Sequence, residues 1–227
     1  HFLQCITIGE GAMCIAMEHE VEFLHFDYGC RATSNERLAV EAIAAHYKRP
    51  LHVLDMRAIF QQIGHSRLLD PTVNAINNGE AGAEQAIEWV PARNTILASV
   101  AMGFAEGNGF DAIALGINLE ESGGGYTDNV IDLYQGFNKL MQWIIGVDKR
   151  LEFISPVGSM MKHEIVAAGL EVDAPYHLTW SCYNQGSVHC GECGPCVMRR
   201  RAFIRNGKID PVPYACDDVG EVAALAG

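Results

Sequence analysis

Short apolar runs alternate with polar, glycine-bearing turns along the first half of the chain. FLQCITI at 2–8, VEFLHFD at 21–27 and LHVLD at 51–55 have the length and composition of strands. The first run ends at Gly9-Glu10-Gly11, and residues 12–17 read as a helix. Thr33-Ser34-Asn35-Glu36 has the form of a capping box, which predicts a helix carrying Leu38, Ala42 and Ala45 at helical spacing. From Met56 to Val90 the pattern fades into Gly, Asn and Pro, including NNGEAG at 77–82, and predicts a long loop. Order returns with a small-residue helix at 95–106, a strand at 111–116 and a glycine-rich loop at 123–125. A helix at 129–145, a strand at 151–156 and a helix at 161–169 follow. No segment repeats. Alternating strands and helices predict an α/β fold, a Rossmann-like parallel sheet with helices on both faces joined by right-handed crossovers.

In such a sheet ligands bind beyond the carboxyl ends of the strands. The first turn to consider is therefore Thr7-Ile8-Gly9-Glu10-Gly11-Ala12. Two glycines let backbone approach a phosphate, and the amides opening a helix present positive dipole to it. A glycine pair in a tight turn is equally an ordinary connector.

The strongest chemical signal lies at SCYNQGSVHCGECGPCVMRRRAF, residues 181–203. Cys182, Cys190, Cys193 and Cys196 form a C-x7-C-x2-C-x2-C array, with Gly191, Gly194 and Pro195 in the turns. Four thiolates converge on a tetrahedral ion at about 2.3 Å each and leave no position for water, so the array reads as a closed structural zinc knuckle. Two disulfides, four unlinked thiols, a redox-active C-x2-C and a ligand exchange to His189 are the other readings. The run Arg199-Arg200-Arg201 reads as a solvated helix face. These features divide the chain into a nucleotide-binding unit, 1–175, and a zinc-bearing C-terminal element, 176–227.

Composition narrows the class. The 227 residues are 49% hydrophobic, enough for one sizeable core. A formal net charge of −12 argues against direct nucleic-acid binding, which needs a basic surface. No segment has the roughly twenty apolar residues of a membrane span. Cys5, Cys14, Cys30 and Cys216 lack paired spacing and are expected as reduced thiols, which fits a cytoplasmic protein.

Several patches together resemble a known family. LTWSCY at 178–183 running into CGECGPC at 190–196 is the most specific. FDYG at 26–29, VPARN at 90–94, GINLEES at 116–122, YTDN at 126–129 and MKHEI at 161–165 follow the same order. They resemble the 7-cyano-7-deazaguanine synthases of queuosine biosynthesis, a zinc-containing branch of the PP-loop ATP pyrophosphatases. The resemblance implies an ATP-dependent ligase that adenylates 7-carboxy-7-deazaguanine and joins it to ammonia, giving the amide and then the nitrile. It also implies a homodimer. Thr7, Gly9, Glu10, Gly11 and Ala12 would then hold ATP phosphates. Arg93 and Lys162 would stabilise the leaving pyrophosphate, and Asp27 would offer a hard oxygen to Mg2+. Tyr28, Glu121, Tyr126, Asp128 and Trp180 would line the base pocket, an acid matching the adjacent N–H groups of a guanine-like edge.

Departures fall where the chemistry should be. The family's Ser-Gly-Gly-x-Asp-Ser phosphate loop is here Thr7 to Ala12, either degenerate or incomplete, and only eleven residues separate Gly9 from Val21. FDYGQRH becomes FDYGCRA, with Cys30 and Ala32 replacing Gln and His; VPGRN becomes VPARN, and YPDC becomes YTDN. Two further classes follow from these changes: a ligase conjugating a deazapurine to a protein or peptide amine, and a non-catalytic, zinc-containing binder.

Overall fold

The computed structural model describes residues 1–5, 20–64, 66–70, 72, 88–120 and 128–216. Five strands arise from the apolar runs: β1 (Phe2–Cys5), β2 (Val21–Asp27), β3 (Leu51–Asp55), β4 (Ala112–Ala114) and β5 (Glu152–Ile154). They pair in the order β3-β2-β1-β4-β5, all parallel, with Cys5 opposite Leu24 and Gln4 opposite Ala114. Chain order runs outward from β1 to β3, then returns to β4 on the opposite side of β1. The topological switch point, where a ligand crevice is expected, therefore lies between β1 and β4.

Strand side chains alternate between two cores, because successive residues point to opposite faces. Val21 and Phe23 of β2, with Ala114 of β4, pack on Val40, Ile43 and Ala44 of α1 (Thr33–Tyr47). Leu3, Leu24, Phe26, Ile113 and Phe153 pack on the other face. There they meet α2 (Arg57–Ile63) through Phe60, α3 (Arg93–Asn108) through Leu97, Ala101 and Met102, and α4 (Ile131–Ile144) through Tyr134 and Met141. Each fully buried Phe or Leu contributes about 1.5–3 kcal/mol. A third cluster joins α5 (Lys162–Glu171) to α6 (Gly194–Arg205) through Val166, Ala202 and Phe203, with Tyr176 from the turn at Tyr176–Leu178. Tyr47 packs on both this cluster and the α1 core. No helix among the described residues is long and apolar enough to cross a membrane.

Three expectations change. The stretch from Met56 is not wholly irregular, since α2 follows β3 directly and buries Phe60. The capping box at Thr33 does not form: Thr33 is the first helical residue, Ala32 is the N-cap, and no side chain caps the helix. Glu36 is thereby turned inward and buried. The arginine run is not a solvated face either. Arg199 is completely buried, Arg200 nearly so, and Arg201 is partly exposed. Arg199 donates to Asp210, Thr179 and the Tyr176 carbonyl; Arg200 donates to the Cys216 carbonyl and lies 4.9 Å over the Tyr214 ring. The helix expected at 12–17, and Cys14 within it, lie outside the described residues.

Candidate active site and metal centre

The four cysteines of the knuckle converge. Their sulfur atoms all lie within 4.8 Å of one another, and the Cys190–Cys196 and Cys182–Cys193 separations are 3.9 Å. The edge of a tetrahedron with ligand distances of about 2.3 Å is about 3.8 Å, so the spacing fits a tetrahedral metal ion. Cys193 is the N-cap of α6 and Cys196 stands in its first turn. Gly191 has φ +84°, and a Cβ there would lie 3.1 Å from the Cys216 carbonyl oxygen, so the turn demands glycine. Backbone N–H groups of Asn184 and Cys190 donate to the Cys182 sulfur, and those of Glu192 and Cys193 to the Cys190 sulfur. Such bonds favour thiolates, the form that ligates metal. The thiols of Cys182, Cys193 and Cys196, then the Cys193 amide, pull Cys190 far below the ordinary thiol range. The described cysteines form no disulfide.

His189 is not part of the ligand set. Its Nε2 accepts from the Ser181 N–H at 3.2 Å, and its ring stacks on Trp180 with centroids 4.3 Å apart. Burial, then the Arg199 charge, lowers its pKa to about 4, so it is neutral. The segment that follows α6 closes over it: the Ala215 N–H donates to the His189 carbonyl and the His189 N–H donates to the Pro213 carbonyl. Trp180 donates to the Cys182 carbonyl at 2.8 Å and packs on both the main core and the cysteines.

A second group gathers beyond the carboxyl end of β2. Asp27 ends that strand; its carboxylate accepts from the Gly29 N–H at 3.1 Å and faces Arg57 at 3.6 Å. Tyr28 is buried against Phe60, and burial raises its pKa well above the ordinary phenol value, so it stays neutral. Arg93, the first residue of α3, donates to the Tyr28 hydroxyl at 3.3 Å and to Asn94 Oδ1 at 3.1 Å. Burial works against the Arg93 charge, but Tyr28, Tyr183 and Asp128 around it more than compensate. Asn94 reaches the Asp128 carbonyl at 3.4 Å, and Asp128 Oδ1 is a buried oxygen that receives no hydrogen bond from the described residues. A buried acceptor without a partner marks a place for a ligand donor.

Lys162 sits on the other side of the switch point. It opens α5 after β5, it is 4% exposed, and its N–H donates to Glu120 at 2.7 Å. Lys162 is therefore not a surface charge. Ser155 ties this segment to the one after β4 through the Leu115 and Ile117 carbonyls, at 3.1 and 3.2 Å. Thr7, Gly9, Glu10, Gly11 and Ala12, like Glu121 and Tyr126, lie outside the described residues.

The sequence assigns no role to Tyr183 or Asn94, and assigns Glu36 only that of a helix cap. Tyr183 follows Cys182 in sequence, packs against the cysteine cluster and favours the Arg93 charge electrostatically. Its place in LTWSCY was the available signal. Asn94 stood in VPARN, but only the folded chain shows it touching Asp128.

The family model for the queuosine biosynthesis protein QueC matches residues 11–207. The chain is 49% identical over 199 residues to the 7-cyano-7-deazaguanine synthase of Sulfolobus acidocaldarius, covering 86% of this chain and 43% of that protein. The synthase of Koribacter versatilis is 36% identical over 193 residues, with 85% of this chain and 81% of that protein covered. The chain thus spans less than half the length of the Sulfolobus relative but most of the Koribacter one. Among solved structures, the U34-tRNA thiolase NcsA from Methanococcus maripaludis is similar at a TM-score of 0.48 and 12% identity, over 98% of this chain and 77% of that one. With the family model spanning residues 11–207 and a 36% identical relative covered over 81% of its length, this chain belongs to the QueC family of queuosine biosynthesis proteins.

Proposed function

We propose that the chain is an ATP-dependent carbon–nitrogen ligase. It adenylates the carboxylate of 7-carboxy-7-deazaguanine and joins the activated carbon to ammonia, giving the amide and then 7-cyano-7-deazaguanine. The observation that supports this most is the cluster of Tyr28, Arg93 and Asp128, a neutral phenol, a charged guanidinium and an acid with an unpartnered buried oxygen. An acid of this kind accepts from the paired N–H groups of a guanine-like edge, with Glu121, Tyr126 and Trp180 completing the base pocket. Arg93 and Lys162 stabilise charge on the departing pyrophosphate. Thr7, Gly9, Glu10, Gly11 and Ala12 hold the phosphates. Magnesium enters with ATP; Asp27 is its candidate ligand and would exchange Arg57 for the ion.

The metal of Cys182, Cys190, Cys193 and Cys196 is read as zinc in a closed structural role. When bound it would lock the knuckle and so hold Tyr183, which packs on both the cysteines and the main core. Residues 1–175 form the nucleotide-binding unit and 176–227 the zinc-bearing element of a cytoplasmic homodimer.

Pyrophosphate release from ATP and Mg2+, with and without 7-carboxy-7-deazaguanine, tests the reading. Substrate-dependent release, with the mass of the amide or nitrile appearing on addition of ammonia, is the expected result. A mass increment from a peptide amine would assign the chain to protein conjugation instead. Base binding without pyrophosphate release would leave it a binder.

A further inference from the structure

Glu36 has a place in the fold that packing alone does not explain. It lies in the first turn of α1 with 5% of its surface exposed, and its Oε1 receives no hydrogen bond from the described residues. The groups acting on its carboxyl are the Cys30 thiol, the Arg93 guanidinium and the Asp27 carboxylate, and Glu36 in turn acts on Tyr28. It therefore belongs to the cluster beyond β2 while serving none of the roles assigned there. A buried acid with an unsatisfied oxygen is costly to keep, and an amide or apolar residue of its size would serve packing better. Cys30 is itself held as a neutral thiol, because burial and then the Glu36 charge push its pKa above the thiol range.

We propose that Glu36 is the proton acceptor for the amine that displaces AMP, binding the ammonium ion at its free oxygen. The inference rests on the ligase reading above. At neutral pH ammonia is almost wholly ammonium, which has no lone pair to attack with. An N–H bond of ammonium breaks, its electron pair stays on nitrogen, and the proton passes to the Glu36 carboxylate. The nitrogen pair then forms the C–N bond at the adenylated carbonyl carbon. The C–O bond to AMP breaks and AMP leaves with that pair. The nitrogen releases its second proton to water, and Glu36 returns the first to water before the next turnover. Burial raises the Glu36 pKa from 4.5 to about 7, with the Cys30 thiol and Arg93 lowering it and Asp27 raising it. A base titrating near the working pH both takes and returns a proton readily.

The test separates the half-reactions in the full chain and its Glu36→Gln variant. The first measurement is substrate-dependent ATP–pyrophosphate exchange. The second is product formation with ammonium chloride or with hydroxylamine, which is largely neutral at pH 7 and needs no prior deprotonation. Glu36→Gln is expected to keep exchange and hydroxylamine turnover within about fivefold, and to lose ammonium turnover by about 100-fold or more at pH 7. That loss should shrink about tenfold per pH unit as free ammonia rises. Glu36→Asp keeps a carboxylate and should retain measurable ammonium turnover. Equal loss with both nucleophiles, or an unchanged ammonium rate, overturns the assignment. Absence of exchange in the unaltered protein overturns the ligase reading itself, and this inference with it.

Discussion

Arg199 and Asp210 form a bidentate ion pair inside the C-terminal element, Nε to Oδ2 at 2.7 Å and Nη2 to Oδ1 at 2.9 Å, with side chains 0% and 5% exposed. Through it α6 holds both the turn at Tyr176 and the segment that closes over His189. Asp210→Ala leaves a buried guanidinium without its carboxylate and is expected to cost about 3–5 kcal/mol. Denaturant unfolding measures it. A loss under about 1 kcal/mol would show that water or another acid replaces Asp210.

Ala92 stands at the N-cap of α3 with φ +51°, in the left-handed region, where the family motif has glycine. A Cβ in that conformation costs about 1 kcal/mol. Ala92→Gly should therefore raise stability by about that amount and shift the melting temperature up by a few degrees. A lower melting temperature would mean that the flexibility glycine adds to the unfolded chain outweighs the relieved strain.

Removing one knuckle ligand should uncouple the metal and loosen what it holds. Cys193→Ser is expected to lower bound zinc and soluble yield together, since structural zinc supplies folding free energy. Metal analysis and thermal melting of the purified variant check this. A stable, metal-free Cys193→Ser protein would contradict the structural role.

The carboxyl of Glu36 gives stability a pH dependence whose sign can be worked out. Its folded pKa, raised by burial from 4.5 to about 7, means that the folded chain binds more protons than the unfolded one in that interval. Stability from this group is therefore full below pH 4.5 and lost as pH rises through 7, by about 3 kcal/mol in all. Glu36→Gln should raise the melting temperature at pH 8 and leave it nearly unchanged at pH 5. A parallel shift at both values would refute the titration.

Asp128→Asn removes the charge but keeps the shape. A hydrogen bond to a charged group contributes about 1.5–3 kcal/mol, so affinity for 7-carboxy-7-deazaguanine should fall about 10-fold to 150-fold. Calorimetric titration measures it, with the melting temperature as a check on the fold. Unchanged affinity removes Asp128 from the base pocket.

Local pattern was enough to find most elements. Runs such as VEFLHFD and LHVLD became β2 and β3 over the same residues, because strand burial leaves its period in the sequence. Ends were less legible. The strand expected at 111–116 is only Ala112–Ala114, since pairing with three residues each of β1 and β5 sets its length. The four metal-site cysteines were legible for a related reason: C-x2-C turns bring ligands together with little help from the rest of the fold.

What the sequence determined by itself was therefore whatever short-range physics decides: element order, parallel α/β class, the cysteine cluster and the motifs of the family. Tertiary structure decided which charges are inside. Arg199 looked like surface because three arginines in a row usually face water, and only the returning segment at Asp210 supplies the partner that makes its burial tolerable. Glu36 looked like a helix cap, and a start at Thr33 instead of one residue later turned it inward. Tyr28, Arg93 and Asp128 are distant in sequence and meet only because the ends of α3 and β2 come together. Long-range contacts of this kind depend on the whole sheet order, which no local spacing encodes.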